Sequence, residues 1–298
     1  MVLATQHIGE TAMQRRDFLK LMGLSALIPW LSRGQEQSNP PIDPNLIALF
    51  ADTHIGIHCQ EHQKNGLDKQ IDAVLAMKSR PANILILGDF AYDRGLPKDY
   101  ELLKPYMERL EQVGIKWHVA MGNHDRREPF LQAFPDKKQD LVPDRIVSIV
   151  NTPKADFVLL DSLDPGKVPG TIDDKQREWL QSFLASQTKP TYVCAHHPIN
   201  ETKLDALLAS APCVKGYLYG HNHYWSLKQL PNGLRTLCLP STGHWGDIGY
   251  GIMTLGDKSD RVSLEINDHY TPRPHKPPKP EWLARIKTLQ GRFAEFPK

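Results

Sequence analysis

Asn45-Leu46-Ile47-Ala48-Leu49-Phe50-Ala51-Asp52-Thr53-His54 holds six consecutive apolar residues that stop at an acid, with an imidazole two places on. A short apolar run without polar alternation is the mark of a strand buried on both faces. The pattern then recurs. Leu67, Ile71, Val74 and Leu75 fall at i, i+4, i+7 and i+8, which gives a helix one apolar face. A second apolar run, Asn83 to Leu87, ends in Gly88-Asp89, and after a helix marked by Leu103, Tyr106, Met107 and Leu110 a third, Lys116 to Met121, ends in Gly122-Asn123-His124-Asp125. Trp179, Leu180, Phe183 and Leu184 mark a further helix ahead of Thr191 to Ala195, which runs into His196-His197-Pro198. Strand-like runs dominate the second half: Val214–Tyr219, closing on Gly220-His221-Asn222-His223, then Trp225–Leu230, Leu234–Leu239, Tyr250–Leu255 and Arg261–Ile266. Helices alternating with strands, followed by a strand-rich half, predict an α/β sandwich of mixed sheets with helices outside.

The 298 residues are 40% hydrophobic and 23% charged, with 20 Gly and 24 Pro, a composition that excludes collagen-like, coiled-coil and wholly disordered chains. No run approaches the roughly 20 apolar residues of a spanning helix, which excludes a multispan membrane protein. The formal net charge of +2 conceals an asymmetry: residues 35–269 carry 25 basic against 30 acidic side chains, and residues 270–298 seven against two. A nucleic-acid binder needs a basic face on its folded body, so no nucleic-acid partner is expected.

Three segments are expected: residues 1–44 as an address and Pro-rich linker, 45–269 as the domain, and 270–298 as a basic, Pro-rich tail that ends in a short helix around Trp282 to Phe293, solvated or strapped over the body. Gln14-Arg15-Arg16-Asp17-Phe18-Leu19-Lys20 precedes eleven uncharged residues, Leu21 to Leu31. That stretch is too short to span a bilayer and suits a signal-peptide core. The arginine pair resembles a bacterial twin-arginine signal, with Gln14 where that motif usually has Ser or Thr. The resemblance implies export through the twin-arginine machinery to the periplasm. Leu31 to Gly34 offers no small-x-small cleavage site, which leaves retention at the membrane by an uncleaved signal open.

Five strands end in polar turns, and in open α/β sheets the ligand crevice lies beyond the carboxyl ends of the strands. In extended backbone, side chains two apart point the same way, so Asp52 with His54, and His221 with His223, each aim two donors at one point. Carboxylate and amide oxygens mixed with imidazoles suit transition metals better than calcium or magnesium.

The five motifs, in this order, resemble the calcineurin-like metallophosphoesterase superfamily over roughly Ile47 to Ile266, and among its members small bacterial enzymes of the cyclic-nucleotide phosphodiesterase type. The resemblance implies a four-layer α-β-β-α sandwich of two mixed sheets. It implies one metal ion held by Asp52, His54, Asp89 and His223, and a second by Asp89, Asn123, His196 and His221, with Asp89 shared. His196 is preferred to His197 because it stands first after the strand. Iron, manganese or zinc are the expected ions, and the expected reaction is hydrolysis of a phosphodiester, such as a cyclic nucleotide, by a metal-bridging hydroxide. A phosphomonoesterase and an inactive metal-binding scaffold are the alternatives. His124 takes the role of acid or transition-state stabiliser. The second motif departs from the family's Gly-Asp-x-x-Asp: Tyr92 fills the last slot, and Asp93 is the candidate to orient His124 instead. Tyr92 also matches the Gly-Asp-x-x-Tyr motif of purple acid phosphatases, but His54 in the first motif argues for Tyr92 as a neighbour rather than a ligand.

Arg126 and His244 are candidates for substrate binding, and Trp245 for stacking on a base. Arg127 reads equally as a phosphate contact and as an exposed charge. His118, inside a strand, reads as a packed histidine. Cys194 and Cys238 sit in apolar runs, where a buried small hydrophobe is a better reading than a disulfide.

Overall fold

The computed structural model describes residues 39–270 and 280–298. The arginine-pair segment lies outside the described residues. The first half contains β1 (Ile42–Phe50), α1 (Glu61–Leu75), β2 (Arg80–Leu87), α2 (Pro97–Glu111), β3 (Lys116–Ala120) and α3 (Arg127–Ala133). The middle contains β4 (Ser148–Asn151), β5 (Asp156–Leu159), α4 (Asp174–Ala185), β6 (Thr191–Cys194), α5 (Ile199–Thr202), α6 (Asp205–Ser210) and β7 (Val214–Tyr219). The last part contains β8 (Ser226–Gln229), β9 (Arg235–Cys238), β10 (Gly246–Leu255), β11 (Ser259–Tyr270), α7 (Pro280–Leu289) and β12 (Phe293–Pro297).

Two six-stranded mixed sheets result, in the orders β12-β11-β10-β1-β2-β3 and β4-β5-β6-β7-β9-β8. The strands that lead into the polar turns are parallel within each sheet: β1, β2 and β3 in the first, β6 and β7 in the second. Alternation along the doubly buried strands sorts their side chains into separate cores. Ala48, Phe50, Ile84 and Ile86 pack under α1 and α2 with Leu67, Ile71, Leu103 and Met107. Their neighbours Ile47, Leu49, Leu85 and Leu87 face the other way and meet Phe157, Leu159, Tyr192, Cys194 and Leu218 of the second sheet. Val158, Val193 and Tyr217 then face Leu180, Leu184 and Leu208 of α4 and α6. Three cores separate four layers, and the α-β-β-α sandwich follows from that alternation. Each fully buried Leu or Ile stabilises it by about 1.5–3 kcal/mol.

The structure departs from the expected domain limits at both ends. β1 starts at Ile42, and the segment that read as a basic tail holds the expected short helix as α7 and adds β12, paired antiparallel with β11 from Ser259↔Pro297 to Ser263↔Phe293. The alternation of Phe293, Ala294, Glu295 and Phe296 buries Ala294 and Phe296 in the core between the sheets. β4 and β5, four residues each, and the short helices α3, α5 and α6 are too brief to announce themselves by periodicity. All four cysteines are free; Cys194, Cys213 and Cys238 are buried.

Candidate metal centre

Each polar turn begins one or two residues past a parallel strand, and main-chain hydrogen bonds tie the turns together. Asp52 N–H donates to the Gly88 carbonyl at 3.0 Å, His54 N–H to that of Asp89 at 2.9 Å, and Gly220 N–H to that of His196 at 3.0 Å. The expectation that Asp52 and His54, and His221 and His223, converge because they are extended is corrected. Asp52, His54, Asp89, His221 and His223 all have positive φ, between 48° and 66°. Left-handed backbone at a non-glycine residue is uncommon and costs energy, and here it gathers on five of the seven expected donors. A chain that doubles back twice aims alternate side chains at one point more sharply than a strand does. Gly88, at φ 84°, must lack a side chain because a Cβ there would collide with the His196 ring.

The seven donors meet in a largely buried cluster. Asp52, His54, Asp89, His196 and His223 are at most 3% exposed, and Asn123 is 8% exposed. His223 Nε2 lies 3.2 Å from Asp52 Oδ1, His196 Nε2 3.1 Å from Asp89 Oδ2, and His54 Nε2 3.8 Å from Asp89 Oδ2. Asn123 Oδ1 lies 3.2 Å from His196 Nε2 and 3.1 Å from His221 Nδ1. Available ligand atoms of Asp52, His54 and His223, and separately of Asp52, Asp89 and His196, fall within 4.8 Å of one another.

Three of the imidazoles are oriented by carbonyl oxygens, which can only accept. His54 Nδ1–H donates to Tyr92 O at 3.1 Å, His196 Nδ1–H to Leu87 O at 2.8 Å, and His223 Nδ1–H to Trp245 O at 2.9 Å. Each ring is left with its Nε2 lone pair turned into the cluster, the arrangement that a metal-binding histidine requires. His54 Nε2 is buried there with no hydrogen-bond partner. Lone pairs packed against carboxylates and an amide oxygen call for cations among them, and these residues fit transition-metal ions. Without them, burial and the neighbouring His244 hold the His54 imidazole well below its usual range. Burial, followed by His196, lowers His221 to about 4. Burial opposes the charge on His196 as well, but Asp89 outweighs it and raises His196 to about 9.

His197 also brings a ring nitrogen within 4.8 Å of ligand atoms of His196 and His221, but its ring is turned to protein groups. Its Nε2–H donates to Val168 O at 3.1 Å and its Nδ1 pairs with Ser162 Oγ at 2.8 Å, so both ring nitrogens are spent on protein groups. His124 stands beside the cluster, 5.0 Å from the His54 ring, with its main-chain N–H on Asp89 Oδ1 at 2.9 Å. Asp93 does reach His124, though not as the sequence suggested. The contact at 2.8 Å is from His124 Nδ1–H to the Asp93 main-chain carbonyl, while the carboxylate stands off at 3.6 Å. Tyr92 likewise contributes its carbonyl, to His54.

Among the substrate candidates, His244 lies against the cluster, its ring 3.9 Å from that of His54 and its Nδ1 2.9 Å from Gln63 Nε2. Gln63 Oε1 is engaged by the Gln60 N–H at 2.8 Å, so the amide nitrogen faces the ring and His244 Nδ1 is the acceptor. Burial, followed by His223, lowers His244 to about 3. The Arg126 guanidinium donates to the carbonyls of Asn123 and Asp125, bracing the third turn. Arg127 is neither a phosphate contact nor a free surface charge: its fork grips the buried Asp161 at 2.6 and 2.8 Å. His118 pairs with Asn83 Oδ1 at 2.9 Å, away from the cluster.

Sequence reasoning gave no role to Asp125, which is fully buried and accepts from the N–H groups of Phe90, Ala91 and Gly122, each at 3.0 Å. It locks the second turn to the third. Ser241 and Asp247 were missed for the same reason: Ser241 Oγ donates to the Asp52 carbonyl, and Asp247 N–H to that of His223. Only their place in the glycine-rich turn that follows β9 could have flagged them.

Fold and donor cluster together define a two-metal hydrolytic centre at the carboxyl edge of an α-β-β-α sandwich. The model of the calcineurin-like phosphoesterase family matches residues 46–225, and the chain belongs to that family of metal-dependent phosphoester hydrolases. Among curated proteins, the 3′,5′-cyclic adenosine monophosphate phosphodiesterase CpdA of Pseudomonas aeruginosa is 30% identical over 193 residues, 60% of this chain and 67% of that protein. A probable cyclic nucleotide phosphodiesterase of Synechococcus is 27% identical over 204 residues, 57% of this chain and 76% of that protein. A dimetal phosphatase from Danio rerio has the same fold, with a TM-score of 0.61 at 16% identity over 76% of this chain and 98% of that one.

Proposed function

We propose that this phosphoesterase hydrolyses a phosphodiester of the cyclic-nucleotide class. The observation that carries the reading is the largely buried set of seven candidate donors, with the unpartnered His54 Nε2 among them and His124 alongside. The similarity to cyclic-nucleotide phosphodiesterases supports the substrate class. Asp52, His54, Asp89 and His223 would hold one ion, and Asp89, Asn123, His196 and His221 the other. Two such ions, when bound, supply positive charge to phosphoryl oxygens and bring the pKa of a water from about 15.7 toward about 7. His124, its Nδ1–H fixed on the Asp93 carbonyl, turns Nε2 to the leaving oxygen, and in its imidazolium form it gives the Nε2 proton to that oxygen and is left neutral. His244, with Nδ1 accepting from Gln63, keeps its Nε2–H for a substrate oxygen.

The test is metal analysis of the purified chain reconstituted with manganese, zinc or iron, with rates on 3′,5′-cyclic AMP, bis-p-nitrophenyl phosphate and p-nitrophenyl phosphate. Two ions per chain and faster turnover of the diesters are expected. Two ions without turnover of any ester would make the protein a scaffold, and preference for the monoester a phosphomonoesterase. A strong visible band in the iron-loaded protein would overturn the exclusion of Tyr92 from the ligands.

The arginine pair supports a further part of the proposal, export by the twin-arginine route to the periplasm. Fractionation of cells expressing the chain should place it outside the cytoplasm, and Arg15→Lys with Arg16→Lys should retain it inside. Unchanged export of the double variant would sink this part.

A further inference from the structure

We propose that Arg285, on α7, is a positioning residue for the first metal position, acting through Asp247 on His223. The inference rests on the assignment of Asp52, His54, Asp89 and His223 to that position. Arg285 lies outside the span that the family model matches, on the segment that read as a tail. Its Nε and Nη2 donate to the two oxygens of the Asp247 carboxylate at 2.7 and 2.6 Å, and Nη2 also reaches the Trp225 carbonyl at 3.1 Å. Asp247 is fully buried. Its Oδ2 accepts the Trp225 N–H at 2.8 Å, its own N–H donates to the His223 carbonyl at 2.8 Å, and its carbonyl accepts the Ser241 N–H at 3.0 Å.

His223 is therefore gripped twice by one short stretch. Trp245 O takes its ring Nδ1–H and Asp247 N–H takes its main-chain carbonyl. Gly246 joins the two grips at φ 89°, so close to His223 that a Cβ would run into the His223 carbonyl. Where that stretch sits depends on the Asp247 carboxylate, which is also bonded two residues beyond His223, and the carboxylate is fixed in plane and rotation by the guanidinium fork. A fork with two parallel bonds and a third to a carbonyl sets an orientation that the single point charge of a lysine cannot. The angle of the His223 imidazole, on which a left-handed backbone leaves little slack, is set from the last helix of the chain.

The full-length protein tests this with Arg285→Met and Arg285→Lys, and with Lys287→Met as a control for charge loss on the same helix. Manganese binding is followed by electron paramagnetic resonance in the wild type, in His221→Ala, which retains the first position, and in His223→Ala, which retains the second. Arg285→Met should weaken the ion of the His221→Ala protein by about tenfold, within the range for partners behind a ligand, and leave that of the His223→Ala protein unchanged. Lysine should restore little, and Lys287→Met should change nothing. Equal weakening in both backgrounds, a parallel fall from Lys287→Met, or no change from Arg285→Met would overturn the proposal. A wild type that never binds two ions would instead overturn the metal assignment itself, before any variant is compared.

Discussion

At the scale of single residues, the centre is built by hydrogen bonds that decide which nitrogen of each ring is free. His54, His196 and His223 give Nδ1–H to the carbonyls of Tyr92, Leu87 and Trp245, and His124 gives its own to Asp93. A main-chain acceptor survives any substitution of its side chain. Asp93→Ala should therefore keep kcat within about tenfold of wild type, whereas His124→Ala should lower it by about 100-fold or more with both ions still bound. Equal losses would mean that the Asp93 carboxylate, at 3.6 Å, orients the ring after all. The same rings predict the pH dependence of loading. In the ion-free chain Asp89 raises His196 to about 9, against its burial, so a proton must leave before Nε2 can bind a cation. Affinity should tighten as pH rises toward about 9, and loading should release protons. Potentiometric titration showing neither would remove His196 from the ligand set.

At the scale of elements, α1 links the periphery to the centre. Gln63 closes the first turn of the helix through Gln60 N–H with one end of its amide and holds His244 with the other. Gln63→Leu should cost about 1 kcal/mol of stability through the lost cap and raise KM, with metal stoichiometry unchanged; a rise in kcat alone would separate His244 from substrate binding. This contact spans 181 residues of sequence and left no trace in it. What could be read were strands whose apolar runs halt at polar residues, because burial on both faces permits no interruption. The candidate donors that the structure gathers were legible as residues following such halts. Their left-handed backbone was not, since nothing in Asp52-Thr53-His54 distinguishes an extended pair from a doubly kinked one. Asp125 and Ser241 hold turns with their side chains on main-chain N–H and carbonyl groups of distant residues, and Asp247 does so with its own N–H; partners that are main-chain groups leave no side-chain signature in the sequence. β12 carried its alternating Phe and Ala in plain view, but five residues in a basic, proline-rich setting outweighed them.

At the scale of the whole molecule, that last strand is structural. Phe296 is fully buried between the sheets, edge-on to Tyr192 at 5.4 Å. Phe296→Ala should destabilise the chain by about 3–5 kcal/mol, read from denaturant unfolding, and a loss below about 1 kcal/mol would mark β12 as dispensable. The donor set also divides between the layers. Asp52, His54, Asp89 and Asn123 follow strands of the first sheet, and His196, His221 and His223 follow strands of the second. Ions held there would bolt one slab to the other at the open end of the sandwich, and ligand linkage would add about 2.7 kcal/mol at a free concentration one hundred times Kd. A chelator should therefore lower the melting temperature as well as the rate, and an unshifted melting curve would show that the greasy seam alone suffices. In a molecule fastened this way, chemistry and endurance draw on one set of side chains, so stripping its cations disarms and loosens it in a single act.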